Sequence, residues 1–211
     1  MEFDEHYYET YYQHYQRQNP PYKLNFYHKI VRKYSPNAKT LLDAGCAYGA
    51  FLTLVVGNYK LLGSDISRHA ISLARQQLPA VHFKVGSVET TSFNTKIDVI
   101  TLFDVIEHVP NLKKTFATIN MQLTEDGVVI FVIPVYDGIT GKIVNLLDKD
   151  PSHIHKFSRD KWLKLIGSTF QILDYQGIFR YLLLGKYYLH FPTKLFRSLA
   201  PAIIIIAKKA N

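Results

Sequence analysis

The chain has 211 residues, 47% of them hydrophobic, which is enough to bury the core of a single α/β domain. Its one cysteine, Cys46, excludes a disulfide framework and a metal site built from several thiolates. The net charge of +8 lies in the last third, because residues 142–211 hold 12 basic and 4 acidic side chains, whereas residues 1–141 hold 13 of each.

The start of the chain is acidic and polar, without the basic first residues and apolar stretch of a secretory signal. Apolar runs such as residues 203–206 are far shorter than the roughly 20 residues that a membrane-spanning helix needs. A reducing compartment also fits the cysteine content. We therefore expect a cytoplasmic protein.

Tyrosines at helical spacing mark the N-terminal segment. Residues 1–36 hold eight of the fifteen tyrosines. Four of them recur at i, i+3, i+4 and i+7, namely Tyr8, Tyr11, Tyr12 and Tyr15. This pattern predicts that residues 1–38 form a helical segment beside a main domain of residues 39–211. The stripe either packs on that domain or closes over a ligand as a cap.

From residue 40 onward, apolar runs of strand length alternate with helix-periodic stretches, which predicts βαβ units and a parallel sheet. Strands are predicted at residues 40–44, 60–64, 81–85, 97–103, 128–133, 170–175 and 202–207. Helices are predicted at residues 50–56, 68–78, 111–123 and 158–166. The run 97–103 is nearly all apolar, which is typical of a strand buried on both faces of its sheet.

The turn after the first predicted strand combines a carboxylate with small residues, in the segment Asp43-Ala44-Gly45-Cys46-Ala47-Tyr48-Gly49. Glycine is needed where the backbone turns tightly and approaches a ligand. A carboxylate two positions before the first glycine would repel a pyrophosphate, but it suits a ligand with an ammonium and a sulfonium. S-adenosylmethionine (SAM) carries both of these groups and no phosphate.

A second carboxylate, Asp65, ends the second predicted strand. At this position a carboxylate can accept hydrogen bonds from both ribose hydroxyls of a nucleoside, with Ile66 packing on the adenine. The alternative is that Asp65 caps the following helix together with Ser67.

Residues 39–135 resemble the class I SAM-dependent methyltransferases, in particular the group of small methyltransferase domains. The similar segments are the glycine loop at 43–49, the ribose-binding strand end at 63–67, the fourth strand and its loop at 97–109, and the fifth strand at 123–131. The resemblance implies an α/β, Rossmann-like, seven-stranded sheet, mostly parallel with an antiparallel last strand and helices on both faces. It also implies SAM as the cofactor.

Two positions depart from the family pattern. Ala47 stands where the family usually has its middle glycine, and Ser87 stands where many members have an acidic residue that contacts the adenine amino group. With these departures included, the expected cofactor-binding residues are Asp43, Gly45, Cys46, Ala47, Gly49, Asp65, Ile66, Ser87, Val88, Phe103, Asp104 and His108.

Three histidines are candidates for a general base. Methyl transfer is an in-line displacement, and an attacking hydroxyl must also lose its proton. His108 lies beyond the fourth predicted strand, and His153 and His155 lie in a segment that resembles the family's His-containing stretch near the substrate mouth. Alternation through Ile154 would place the last two on one side. We expect at most one to be catalytic, with a structural role as the alternative for each. No further ligands are evident, so no metal is expected.

Residues 181–199 are aromatic and basic and lie outside the predicted core. If the family topology holds, this insert caps the acceptor pocket. Its composition fits a small-molecule or lipid-linked acceptor, with membrane-surface contact through the basic C-terminal third. Nucleic acid would use the same side chains for stacking and phosphate contacts, and is less favoured. A solvated basic face is the alternative to all of these partners.

The function predicted from the sequence is transfer of a methyl group from SAM, with O-methylation of a small molecule or of a lipid or saccharide precursor favoured. One alternative is an NAD(P)-dependent oxidoreductase, in which Gly45, Ala47 and Ala50 form a degraded GxGxxG turn. Asp43 argues against it, and the chain has no Tyr-x-x-x-Lys pair. The other alternative is a non-catalytic binding module on the same fold, supported only by Ala47 and Ser87. Beyond this preference for oxygen, the identity of the acceptor and the oligomeric state are left open.

Overall fold

The computed structural model describes residues 15–148, 150–183 and 186–210. Tyr8, Tyr11 and Tyr12 of the predicted stripe lie outside these residues. The helices are α1 (Tyr15–Gln18), α2 (Pro21–Tyr34), α3 (Ala50–Val55), α4 (Arg68–Gln77), α5 (Leu112–Gln122), α6 (Gly138–Leu147) and α7 (Arg159–Gly167), with a 3₁₀ turn at Ile106–His108. The strands are β1 (Thr40–Ala44), β2 (Lys60–Asp65), β3 (His82–Val85), β4 (Ile97–Phe103), β5 (Leu123–Pro134), β6 (Phe170–Leu183), β7 (Tyr187–Thr193) and β8 (Ala202–Lys209).

These strands form one sheet in the order β3-β2-β1-β4-β5-β8-β6-β7. Strands β1 to β5 are parallel, and β8 runs antiparallel between β5 and β6. The predicted Rossmann-like sheet with an antiparallel last strand is therefore confirmed. The predicted count of seven strands is too low, because residues 187–193 of the presumed insert pair with the end of β6 as an additional antiparallel edge strand.

Helices cover both faces of the sheet, and each face has its own core. On one face α2, α3 and α4 pack around Leu41 and Val99. On the other face α5 and α7 pack around Leu42 and Ile100, with the fully buried Trp162 among them. Neighbouring residues of β1 and β4 thus point to opposite faces, as the geometry of a strand requires. The strands at the centre of the sheet are accordingly rich in apolar residues.

The sheet topology places a crevice at the carboxyl ends of β1 and β4. From β1 the chain continues to β2 on one side, whereas β4 lies on the other side of β1. Connections that leave in opposite directions open a ligand crevice at such a switch point. The register brings Asp43 of β1 beside Thr101 of β4, so the acidic turn and the end of β4 face the same crevice.

Local capping fixes two helix starts near this crevice. Ser67 accepts a hydrogen bond from the Ala70 amide at 3.2 Å and begins α4 as predicted. Ser158 likewise accepts from the Lys161 amide at 3.3 Å and begins α7. Across the described residues, the helices fall short of the length and apolarity that crossing a bilayer requires.

Candidate active site

A cavity of about 930 Å³ opens at the carboxyl ends of the central strands. Asp43 and Asp65, two acidic residues of the predicted cofactor site, line it. So do the two histidines His108 and His153. The remaining predicted cofactor residues in its wall are Gly45, Cys46, Ala47, Ile66, Ser87, Val88, Phe103 and Asp104.

Two predicted residues do not line this cavity. Gly49 caps the start of α3 with a φ of 80°, so its role is to turn the backbone into the helix. His155 lies 2.9 Å through Nε2 from the Val109 carbonyl oxygen, and its ring contacts Phe157 and Trp162. Of the two histidines in the 151–158 segment, only His153 reaches the cavity, which contradicts the expectation that both lie on one side.

The turn after β1 requires glycine at Gly45 for two reasons. Its φ of +81° lies in the left-handed region, and a Cβ there would come within 2.3 Å of Val105 Cγ2. Its amide donates to the Ser64 carbonyl at 2.7 Å, which joins the turn to β2. Ala47 also has a left-handed φ of 45°, a strain of about 1 kcal/mol that one methyl group can tolerate.

Asp43 is a buried carboxylate that accepts a hydrogen bond from a threonine of the neighbouring strand. Thr101 Oγ1 donates to Asp43 Oδ1 at 2.7 Å. Burial raises the pKa of Asp43 to about 7, the Thr101 hydrogen bond opposes this change, and the nearby Asp65 charge adds to it. A cation bound beside Asp43 would oppose this shift by favouring the ionised carboxylate.

Tyr15 links the N-terminal segment to the turn. Its hydroxyl oxygen accepts a hydrogen bond from the Ala50 amide at 3.3 Å, and its ring meets the Tyr48 ring edge-on at a centroid distance of 5.0 Å. Tyr15, Lys23 and Tyr27 all line the cavity. The described part of the predicted cap therefore contributes to the cavity wall.

The His153 ring is held by Asp148, which the sequence analysis missed. His153 Nδ1 lies 2.9 Å from Asp148 Oδ1, and Tyr136 donates its hydroxyl to Asp148 Oδ2 at 2.7 Å. Lys156 Nζ lies 3.0 Å from the same carboxylate. Burial acts to raise the pKa of Asp148, but hydrogen bonds from Tyr136, His153 and Lys156 lower it to about 2. Asp148 therefore stays ionised and orients the imidazole.

The His108 ring is oriented by a similar chain of contacts. Its Nδ1 lies 2.8 Å from Ser152 Oγ, and Ser152 Oγ donates to Asp150 Oδ1 at 2.5 Å. Burial, and then the neighbouring His153, lower the pKa of His108 to about 4, so the ring is neutral at pH 7. The two rings lie 4.6 Å apart between centroids.

Glu107 is a second cavity residue that the sequence analysis did not select. The side chain is fully buried, lines the cavity, and has no hydrogen-bond partner for either carboxylate oxygen within the described chain. Burial and the neighbouring Asp104 raise the pKa of Glu107 well above its usual value. The signal in the sequence that could have identified Glu107 is its position directly before a candidate histidine, shortly after a predicted strand.

A partly buried ion pair lies next to this glutamate. Arg180 of β6 contacts Asp104 Oδ2 through Nη1 at 2.5 Å. Burial lowers the pKa of Lys23 to about 8, although the Asp104 charge opposes this change. Tyr181 and Tyr188, which belong to the predicted cap of residues 181–199, line the cavity beside these charges.

A family model described as a methyltransferase domain matches residues 12–169. Ubiquinone biosynthesis O-methyltransferase from Glaesserella parasuis serovar 5 (strain SH0165) is 29% identical over 100 residues, or 42% of each chain. The chain spans less than half the length of the curated relatives that it matches.

Solved structures with low sequence identity share the fold. A SAM-dependent methyltransferase from Clostridium acetobutylicum ATCC 824 has a TM-score of 0.68 at 16% identity, with 98% of this chain and 97% of that chain covered. The PH0226 protein from Pyrococcus horikoshii OT3 has a TM-score of 0.71 at 17% identity, with 98% and 99% covered. Since the family model matches more than half of the chain, the chain belongs to the family of methyltransferase domains.

Proposed function

We propose that the protein transfers the methyl group of SAM to a hydroxyl oxygen of a small molecule, or of a lipid or saccharide precursor. One observation carries the proposal: a single cavity is lined by the acidic residues Asp43 and Asp65 and also by the imidazoles of His108 and His153. A cationic nucleoside and an acceptor can therefore lie side by side, as an in-line displacement requires.

In this proposal Asp43 faces the ammonium and sulfonium groups of SAM, and Asp65 accepts the ribose hydroxyls. The raised pKa of Asp43 supports the first assignment, because a carboxylate buried in this way would be stabilised in its ionised form by a bound cation. Ile66 supports the adenine position, because its apolar side chain is 51% exposed although it lines the cavity. Ser87 and Val88 lie in the same wall and would contact the adenine edge.

Residues 1–38 and 181–199 would close the cavity over its ligands. Tyr15 supports the role of the first segment through its contacts with Ala50 and Tyr48. Tyr181 and Tyr188 support the role of the second, since both line the cavity. An aromatic body with a polar tip suits a lid that faces both ligand and water.

Oxygen is favoured as the acceptor atom because an attacking hydroxyl must lose its proton, whereas a neutral amine attacks through its lone pair. The groups His108, His153 and Glu107 line the cavity and supply the polar surroundings that such a step needs. The name of the relative from Glaesserella parasuis, an O-methyltransferase, points in the same direction.

An apolar stripe on α6 favours an acceptor that is carried by an anionic membrane. Ile139, Ile143 and Leu146 are 78%, 49% and 82% exposed, and they follow helical spacing. Together with the basic last third, this stripe fits binding to anionic vesicles. We expect Ile139→Asp with Leu146→Asp to reduce co-sedimentation with phosphatidylglycerol vesicles. Met121→Asp is the control, since Met121 is 61% exposed on α5.

The test of the proposed function pairs a binding and a transfer measurement. Calorimetry should show saturable SAM binding and no NADH binding, because the turn is acidic. Labelled SAM is then incubated with phenols, each matched by the aniline of the same shape. We expect label on the phenol as a methyl ether. Label on the anilines alone would overturn O-methylation. NADH binding would favour the oxidoreductase, and the absence of SAM binding would favour a non-catalytic module.

A further inference from the structure

Three side chains of metal-ligand type meet at one wall of the cavity. The ligand atoms of Glu107, His108 and His153 all lie within 4.8 Å of one another. Glu107 and His108 belong to the 3₁₀ turn after β4, whereas His153 comes from the loop before α7. The fold therefore brings together a carboxylate and two imidazoles that are separate in sequence, and it supplies the third ligand that the sequence analysis did not find.

Glu107 is the residue whose environment favours a bound cation. Its side chain is 0% exposed, and neither carboxylate oxygen has a hydrogen-bond partner within the described chain. Burying an ionised carboxylate without a partner is strongly unfavourable, so native proteins satisfy such groups with a proton or a cation. Because Glu107 lines the cavity, a cation can reach it from the open side.

The tautomers of the two histidines are set by their neighbours. Asp148 accepts the Nδ1–H of His153 and is held in place by Tyr136 and Lys156. Ser152 donates to Asp150, so its oxygen accepts the Nδ1–H of His108. In each ring Nε2 then carries the lone pair. A carboxylate that fixes an imidazole in this way is a common support for metal-binding histidines.

The groups of this set that would hold an ion are two imidazole nitrogens and a carboxylate. Two imidazole lone pairs and a carboxylate repel one another unless a proton or a cation lies between them. The geometry points to a divalent transition-metal ion bound by Glu107, His108 and His153. Two donor atoms bound to an ion of zinc size lie at most about 4.2 Å apart. Small side-chain rotations would therefore bring the ligand atoms of the three residues to bonding distance from one ion.

The ligand types also select the ion. Two imidazoles with one carboxylate favour Zn²⁺, Fe²⁺, Co²⁺ or Mn²⁺ over Mg²⁺ and Ca²⁺, which prefer all-oxygen sites. Three protein ligands leave a coordination position open to the cavity, as in catalytic zinc sites.

The role of the ion, though not its binding, rests on the proposed function. An acceptor hydroxyl that occupies the open position would lose its proton to water more readily, because the ion stabilises the resulting oxyanion. The oxygen then forms a bond to the methyl carbon while the bond from that carbon to sulfur breaks. The sulfur keeps the electron pair, and S-adenosylhomocysteine leaves.

The test measures metal binding by the whole chain without SAM or acceptor. Tag-free protein is stripped with a chelator, and Co²⁺ is added while the visible absorption of the bound ion is recorded. Zn²⁺ uptake is measured by equilibrium dialysis and elemental analysis. We expect saturable uptake of a single ion per chain, with cobalt bands typical of nitrogen and oxygen ligands. Uptake far below stoichiometric would overturn the proposal.

Two ligand variants and one control locate the ion. Glu107→Gln and His153→Asn each keep the side-chain size, and we expect at least tenfold weaker Co²⁺ binding in both. Asp148→Asn should weaken binding by about 10- to 100-fold, because it releases the His153 ring. His155→Ala should bind as the native chain does. If Glu107→Gln fails to fold in a thermal melt, His153→Asn supplies the result. Native affinity in the folded ligand variants would overturn the assignment.

The outcomes separate this site from the proposed function. Calorimetry with SAM in the presence of chelator reports on the cofactor site alone. Ion binding without SAM binding would retain the metal site and reject the proposed function. If the chain takes up no ion and still transfers the methyl group at the full rate in chelator, the proposed function is retained and the metal site is rejected.

Discussion

Asp65 Oδ2 accepts a hydrogen bond from the Ala47 amide at 2.9 Å, which ties the end of β2 to the turn after β1. The other oxygen of Asp65 accepts from the Ser67 amide at 2.9 Å. One carboxylate thus supports the turn, helps to begin α4 and lines the cavity. The two interpretations of Asp65, as a helix cap and as a cavity residue, are therefore compatible, because each oxygen has two lone pairs.

Removing this carboxylate should weaken the cofactor site. We expect Asp65→Ala to reduce SAM affinity by about 10- to 150-fold, which corresponds to the roughly 1.5–3 kcal/mol of a hydrogen bond to a charged group. Calorimetry with SAM measures the change, and Asp160→Ala on α7 serves as a control for the loss of one acidic residue. An affinity equal to that of the native chain would refute the ribose assignment.

Gly45 should tolerate no side chain. In Gly45→Val a Cβ would come within 2.3 Å of Val105 Cγ2 while the backbone keeps a φ of +81°, so we expect loss of SAM binding and a lower melting temperature. Gly57→Ala is the matched control, because Gly57 has a φ of +82° and nothing within 4 Å of its Cβ position. It should lose only about 1 kcal/mol of stability and keep SAM affinity. SAM binding by a folded Gly45→Val variant would contradict the placement of this turn.

The pKa of Asp43 predicts how SAM affinity depends on pH. Burial raises this pKa to about 7, and only the ionised carboxylate attracts a cationic ligand. Affinity should therefore fall as the pH drops below 7, by up to about tenfold per unit. Asp43→Asn should bind SAM weakly at every pH and lose this dependence. A native profile that stays flat between pH 5.5 and 8 would refute the assignment.

The same group makes an opposite prediction for the stability of the SAM-free chain. Since the folded pKa of Asp43 lies above its usual value of 3.8, its contribution to stability is fully present below pH 3.8 and is lost as the pH rises through about 7. The Asp43→Asn variant should therefore gain melting temperature relative to the native chain when both are moved from pH 5.5 to pH 8. Calorimetric melts of both proteins at these two pH values check the sign, and an unchanged difference would contradict it.

The sequence predicted the parts of the molecule where local chemistry determines the structure. Strand β4 was predicted at its observed bounds because buried parallel strands are nearly all apolar. The turn at Gly45 was recognisable because a tight turn close to a ligand needs glycine, and because a carboxylate at Asp43 suits a cationic ligand. In contrast, β7 alternates between exposed and partly buried side chains at the sheet edge, so its apolar pattern is weak. Its pairing with β6 depends on a contact that sequence periodicity does not encode.

The histidine site was only partly predictable for a related reason. The sequence could name His108, His153 and His155, but their separation in the fold depends on an irregular loop without periodicity. Asp148 supports His153 from a polar segment that carries no motif. Glu107 gains its importance from burial, which follows from the packing of the turn after β4.

The last prediction concerns which histidine affects turnover. At saturating SAM, His108→Ala and His153→Ala should each lower the rate of methyl transfer to a phenol by about 10²-fold or more, because each variant lacks a cavity imidazole proposed to hold the ion that activates the hydroxyl. His155→Ala should stay within about twofold of the native rate, since its ring packs against Phe157 and Trp162. Asp148→Asn should also lower the rate of methyl transfer, because Asp148 Oδ1 lies 2.9 Å from His153 Nδ1 and orients that ring. A large loss in His155→Ala with native rates in the other variants would move the chemistry out of this cavity.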